Sequence, residues 1–158
     1  MSTSIRIVLD TNVLLSGLVS PASASRTIVD ALDRRRAVPL LSAPVLAEYR
    51  ATLLHPSIQT RFTELTPWRV ALALERLRYI GDEYRRVKTH FEFPRDPRDA
   101  MFIELSLTGN ATHLISLDPD LLTLPTSRTG AGKRFRQRLP HLQILRPDDF
   151  VRLQGDLL

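Results

Sequence analysis

The stretch "IRIVLDTNVLLSGL", residues 5–18, decides the fold. Ile5–Leu9 reads as a buried strand, whose apolar run stops at Asp10 with Asn12 two residues further on. A short apolar run without polar alternation suits a strand covered on both faces, as in a parallel sheet. In open sheets of that kind ligands bind outside the carboxyl ends of the strands, which is where Asp10 falls. The same aspartate also reads as an ordinary helix N-cap. Its meaning depends on which other acids share its edge of the sheet.

Outward from this strand, short apolar runs alternate with helical stripes. Thr27–Arg36 reads as a helix with Ile28, Val29 and Leu32 inward and three arginines in its last turn, where cations suit the helix dipole. Val38–Leu41 reads as a second strand and Ala43–Leu54 as a helix. Thr66-Pro67 marks a helix start, the stripe Val70, Leu74 and Leu77 continues it, and Gly81 stops it. Tyr84–Val87 reads as a strand, Asp99–Thr108 as a helix closed by Gly109, and Thr112–Ser116 as a strand. A short helix begins near Asp118, a strand covers Leu142–Leu145, and a last helix starts at Asp148. Strands alternating with helices predict a three-layer α/β/α sandwich around a parallel sheet. A chain of 158 residues without an internal linker or repeat reads as one domain.

Further acids fall at comparable places. Asp118 follows the strand "THLIS" by two residues. In "FPRDPRDAMFIEL", Asp96 before Pro97 is the natural cap, which leaves Asp99 to project from the helix start. Glu48 falls at the border of the stripe Val45, Leu46, Tyr49 and Leu53 rather than opposite it. A carboxylate drawn toward a core needs a partner, and a cation would be one. Each acid has a bland reading: capping for Asp10 and Asp118, dipole stabilisation for Asp99, a solvent-seeking border residue for Glu48. Together, oxygen ligands without thiolates point to Mg²⁺ or Mn²⁺. His55, His90, His113 and His141 lack the spacing of a zinc pair.

Composition narrows the classes. Without cysteine there is no disulfide and no thiolate site, which suits a reducing cytoplasm. No apolar run reaches the roughly 18 residues a membrane span needs, and no secretory signal is expected. The formal charge is +5, and residues 126–138, "TSRTGAGKRFRQR", carry all of that excess in Arg128, Lys133, Arg134, Arg136 and Arg138. Such a segment reads either as a handle for a polyanion or as a solvated loop. "TGAGKR" lacks the first glycine of a phosphate loop and the hydroxyl residue after its lysine.

The segments "VLDTNVLLSGL", "SAPVLAEYRATL", "DPRDAMFIELSLTGNATHLISLDPDLLTL" and "ILRPDDFVRL" resemble, in order and spacing, the PIN-domain nucleases. The nearest resemblance is to the VapC-like toxins of bacterial type II toxin–antitoxin systems. It implies a PIN-like domain over residues 1–158, with a basic insertion at about 123–140 whose role it does not supply. It also implies that Asp10, Glu48, Asp99 and Asp118 form a catalytic metal site for Mg²⁺ or Mn²⁺, supported by Asn12, Ser116 and Asp96. The implied activity is hydrolysis of single-stranded RNA, held in check by a cognate antitoxin protein, with a homodimer also suggested. Phosphates outside the acidic centre would meet Arg50, Arg95, Arg98 and the basic residues of 126–138.

Two rivals remain. One is a non-catalytic RNA- or protein-binding module that keeps the fold. The other is a haloacid-dehalogenase-type phosphatase, whose chemistry wants a second aspartate where this chain has Asn12.

Overall fold

The computed structural model describes residues 4–87 and 89–158. Five strands form one parallel sheet: β1 (Arg6–Leu9), β2 (Val38–Ser42), β3 (Asp82–Tyr84), β4 (His113–Ile115) and β5 (Gln143–Leu145). Their spatial order is β3-β2-β1-β4-β5. Ile7 stands opposite both Pro39 and His113, and Leu9 opposite Ile115. Successive residues of a strand face opposite sides of a sheet. In β1 Ile7, Val8 and Leu9 are all buried, as are His113, Leu114 and Ile115 in β4, so helices cover both faces. This is the predicted three-layer arrangement.

The helices are α1 (Thr11–Val19), α2 (Ala24–Asp33), α3 (Ala43–Leu53), α4 (Pro56–Arg61), α5 (Pro67–Ile80), α6 (Ala100–Thr108), α7 (Pro119–Leu122), α8 (Gly130–Arg138) and α9 (Pro147–Gln154). α6 packs on β1, β2 and β4 and touches α3, whereas α1, α2 and α9 form a second group. Among the described residues no helix is long and apolar enough to cross a membrane.

Several boundaries differ from the sequence reading for identifiable reasons. α2 begins three residues earlier than expected because the Ser23 hydroxyl accepts from Arg26 N at 3.1 Å. It ends before the arginines. Arg35 takes a left-handed φ of 60°, Arg35 N donates to Leu32 O and Arg36 N to Ala31 O, the paired bonds of a Schellman stop. At the end of α6 it is Asn110, at φ 50°, that turns the chain. Gly109 is small for a different reason: a Cβ there would lie 2.7 Å from Leu40 Cδ1. β3 forms at Asp82–Tyr84, ahead of the expected Tyr84–Val87, by pairing with Leu40–Ser42. α4, capped by the His55 ring accepting from Ser57 N, was not foreseen.

The largest departure is residues 126–138. A short 3-10 turn, Leu124–Thr126, leads into α8 rather than into a solvated loop. Thr129 Oγ1 caps Gly132 N at 3.2 Å, and Ala131, Phe135 and Leu139 bury one face. Those three stand four residues apart, the spacing of one helical stripe. Gly132 lies so close to the preceding turn that a Cβ would sit 2.2 Å from Ser127 O.

Candidate metal centre

The strand order reverses direction between β1 and β4, and their carboxyl ends open onto one cavity of about 380 Å³. Its lining takes in Asp10, Asn12, Glu48, Asp96, Asp99 and Asp118. Four separate stretches of chain thus deliver carboxylates to one place. Asp10 follows β1 and starts α1, and Asp118 follows β4 and starts α7. Asp99 ends a 3-10 turn at the head of α6, while Glu48 comes from the middle of α3.

Asp10 is the most rigidly held. Only 6% of its surface is exposed. Oδ1 accepts from Thr11 N at 2.7 Å, and Oδ2 accepts from Ser116 Oγ at 2.7 Å. Ser116 Oγ also accepts from Asp118 N at 2.9 Å, so one hydroxyl ties two of the acids to the strand ends. Burial pushes the Asp10 carboxyl above the ordinary carboxylate range, the two hydrogen bonds pull it back, and the charges of Asp118 and Glu48 raise it again. α3 is fastened to the same strand end, because Tyr49 Oη donates to Leu9 O at 2.5 Å. Its phenol is held far above its usual pKa by burial and by Asp10.

Asp96, Asp99 and Asp118 form the tightest acidic grouping among the described residues, with one oxygen from each within 4.8 Å of the others. Asp96, read from sequence as the cap, does accept from Arg98 N at 3.2 Å, yet it is also part of this grouping. Asp10 lines the same cavity without belonging to it. The Asp99 carboxyl is pushed up to about 8, first by burial and then by the adjoining Asp118 carboxyl and the charges of Asp10, Asp96 and Asp118. Repulsion of this kind is what a dication relieves.

The donor set fits such an ion. Asp99 Oδ2 and Thr11 Oγ1 are buried at this cavity without any hydrogen-bond partner. Buried polar atoms rarely stay unsatisfied without a reason. All the charged groups offer oxygen, and no histidine lines the cavity. His55 caps α4, His90 pairs with Glu104 at 3.3 Å, and His113 meets Phe150 edge-on. Glu48 is half-buried and accepts from Thr52 Oγ1 at 3.4 Å. Thr11 and Thr52 were not singled out from sequence, although the middle position of "DTN" and the residue one turn after Glu48 mark both.

The basic residues lie elsewhere, and most are tied to the protein. Arg134 donates to Glu92 O, Arg136 to Pro125 O and Ser127 O, and Arg138 to His90 O at 2.6 Å. Arg95 pairs with Asp120 at 3.1 Å. Arg128 and Lys133 are exposed.

A parallel sandwich with an acidic cavity at its strand-order reversal defines a class of metal-binding α/β proteins. The PIN domain family model matches residues 6–120, and the chain belongs to that family. It is also 25% identical over 162 residues to the uncharacterized protein MJ1680 of Methanocaldococcus jannaschii, covering 93% of this chain and 90% of that protein. PIN domains are usually metal-dependent nucleases, and the acidic grouping could hold a divalent ion. The family assignment sets aside the phosphatase alternative.

Proposed function

We propose that the chain is an endoribonuclease that uses Mg²⁺ or Mn²⁺ to hydrolyse single-stranded RNA. The convergence of Asp10, Glu48, Asp99 and Asp118 on one cavity, beside two buried oxygens without partners, carries this reading. Asp10, Asp99 and Asp118 would hold the ion, with Asp96 in reach and Asn12 on the rim. Bound there, a hard dication polarises the scissile phosphate, acidifies water and offsets charge on the leaving oxygen.

The chain's own groups supply the rest. Glu48 orients a water and takes its proton as the water oxygen bonds to phosphorus. The bond from phosphorus to the 3′ oxygen breaks, that oxygen takes up a proton, and the products carry a 5′-phosphate and a 3′-hydroxyl. Thr52 steadies Glu48, and Ser116 keeps Asp10 and the Asp118 backbone in register. Arg50, Arg98, Arg128 and Lys133 are exposed cations able to meet phosphates outside the acids.

The order and spacing of the motifs support a finer reading, in which the protein is the toxin of a toxin–antitoxin pair. It then works in the cytoplasm, is restrained by a cognate antitoxin protein and forms a homodimer. The direct test incubates the protein with total RNA and Mn²⁺ and maps the new ends. New 5′-phosphate ends that vanish in EDTA and in Asp10→Asn are the expected result. Undiminished cutting in EDTA would overturn the scheme.

A further inference from the structure

A second cavity, of about 630 Å³, opens beside the acidic one. Its walls are mostly apolar and include Phe93, Pro94, Leu124 and Ala131. The boundary between the two cavities is short. Arg95 immediately precedes Asp96, Asp120 stands two residues after Asp118, and Arg95 Nε meets Asp120 Oδ1 at 3.1 Å. None of the chemistry assigned to the acids uses this space.

Glu92, Arg95 and Asp120 line it as well, and the donors without acceptors stand at the α8 end. Arg134 gives one Nη to Glu92 O at 3.1 Å and keeps its Nε buried without a partner. Thr129 caps Gly132, so the amides of Gly130 and Ala131 have no acceptor among the described residues. An apolar cavity within the 300–1,000 Å³ range that carries a few convergent donors suits a small planar ligand bearing an anionic group.

We propose that this cavity seats one nucleotide of the RNA strand, adjacent to the phosphodiester presented to the acids. The base packs on exposed Pro94 and the Thr123 rim, over a floor in which Phe93 and Leu124 are 4% and 2% exposed, and its phosphate meets Arg134 and the first turn of α8. This deepens the endoribonuclease reading and rests on it. The charged lining of the cavity balances, Arg95 and Arg134 against Glu92 and Asp120, so nucleic acid is favoured over a peptide by the flank, where residues 126–138 carry five cations and no acid. A strand leaving the acidic cavity has to pass a cationic flank, because carboxylates repel its phosphates. Stacking on apolar and aromatic surface is tolerant of base identity, so this subsite grips without strongly selecting sequence.

The test uses two variants in an Asp10→Asn background with Mn²⁺ present: Thr123→Trp blocks the exposed rim, and Ala131→Phe fills the wall. The probe is a fluorescein-labelled, random-sequence single-stranded RNA of about twelve nucleotides. Fluorescence anisotropy should show both variants binding about tenfold more weakly than the background protein, the scale of one lost stacking contact. The same RNA carrying 4-thiouridine should photo-crosslink to residues 91–95 or 123–134. Unchanged affinity in Thr123→Trp with crosslinks only elsewhere overturns the subsite while wild-type cleavage still upholds the nuclease. A wild-type protein that neither binds nor cuts RNA overturns both.

Discussion

Ser116 donates its hydroxyl to Asp10 Oδ2 at 2.7 Å, joining the ends of two neighbouring strands that are 106 residues apart in the chain. Ser116→Ala removes the hydrogen bond that holds the Asp10 carboxyl down and leaves Asp118 N without its acceptor. Groups that orient metal ligands are typically worth 10–100-fold in affinity. Mn²⁺ titration by calorimetry should therefore show about a tenfold weaker site, with the folded signal in circular dichroism unchanged.

Asp10→Asn should abolish cleavage with little net change in stability. Asn is as good an N-cap as Asp and can still accept from Thr11 N, but its NH2 cannot accept from Ser116 Oγ as Asp10 Oδ2 does. The amide also carries no charge to desolvate at a position only 6% exposed. The lost Ser116 bond and the relieved buried charge oppose one another, so the melting temperature in the absence of metal should stay close to that of the parent, while RNA cutting disappears.

Asp99 gives the pH dependence. Its carboxyl titrates near 8 in the folded protein and in the ordinary carboxylate range once unfolded. The folded state therefore binds the extra proton between those values. The stabilising contribution is complete below the unfolded pKa and is lost as pH rises through about 8. Asp99→Asn should raise the metal-free melting temperature at pH 9 and leave it nearly unchanged near the unfolded pKa. Mn²⁺ binding to the parent should release a proton at neutral pH, seen as a buffer-dependent binding enthalpy.

The arginines of α8 and its lysine should separate by role. Arg138 donates to His90 O at 2.6 Å and lies 6.0 Å from the centre of the Phe91 ring. Arg138→Ala should cost about 1 kcal/mol in urea unfolding. Lys133 is exposed, so Lys133→Ala should leave the urea midpoint in place. If Lys133 meets an RNA phosphate, the slope of log affinity against log salt should fall by about one.

Most of the architecture was legible because burial on both faces leaves an unmistakable imprint on short strands such as "IVL" and "HLI". The acids at the ends of β1 and β4 were legible for the same reason, since topology sends both to one edge. Side-chain chemistry alone did not give their grouping. Asp96 had a sufficient local explanation as a cap and was otherwise only a supporting residue, whereas the fold stands it with Asp99 and Asp118 as a full member of the grouping. The α8 helix was hidden by its glycines and cations, which read as loop. Its stripe Ala131, Phe135 and Leu139 was present, but is too short to outweigh that composition. The carbonyl partners of Arg134, Arg136 and Arg138 lie outside their own helix, and Glu92 and His90 are distant in sequence, so no local pattern announces them.

The central place of β1 bears on when the acidic cavity can form. Strand one cannot gain its second neighbour until the ribosome has passed residue 115, and Asp118 emerges later still. A polypeptide that stops short of residue 115 therefore carries Asp10, Glu48 and even Asp99 without the strand and the Asp118 that complete the cavity. Whatever chemistry the finished cluster performs, translation itself delays its assembly.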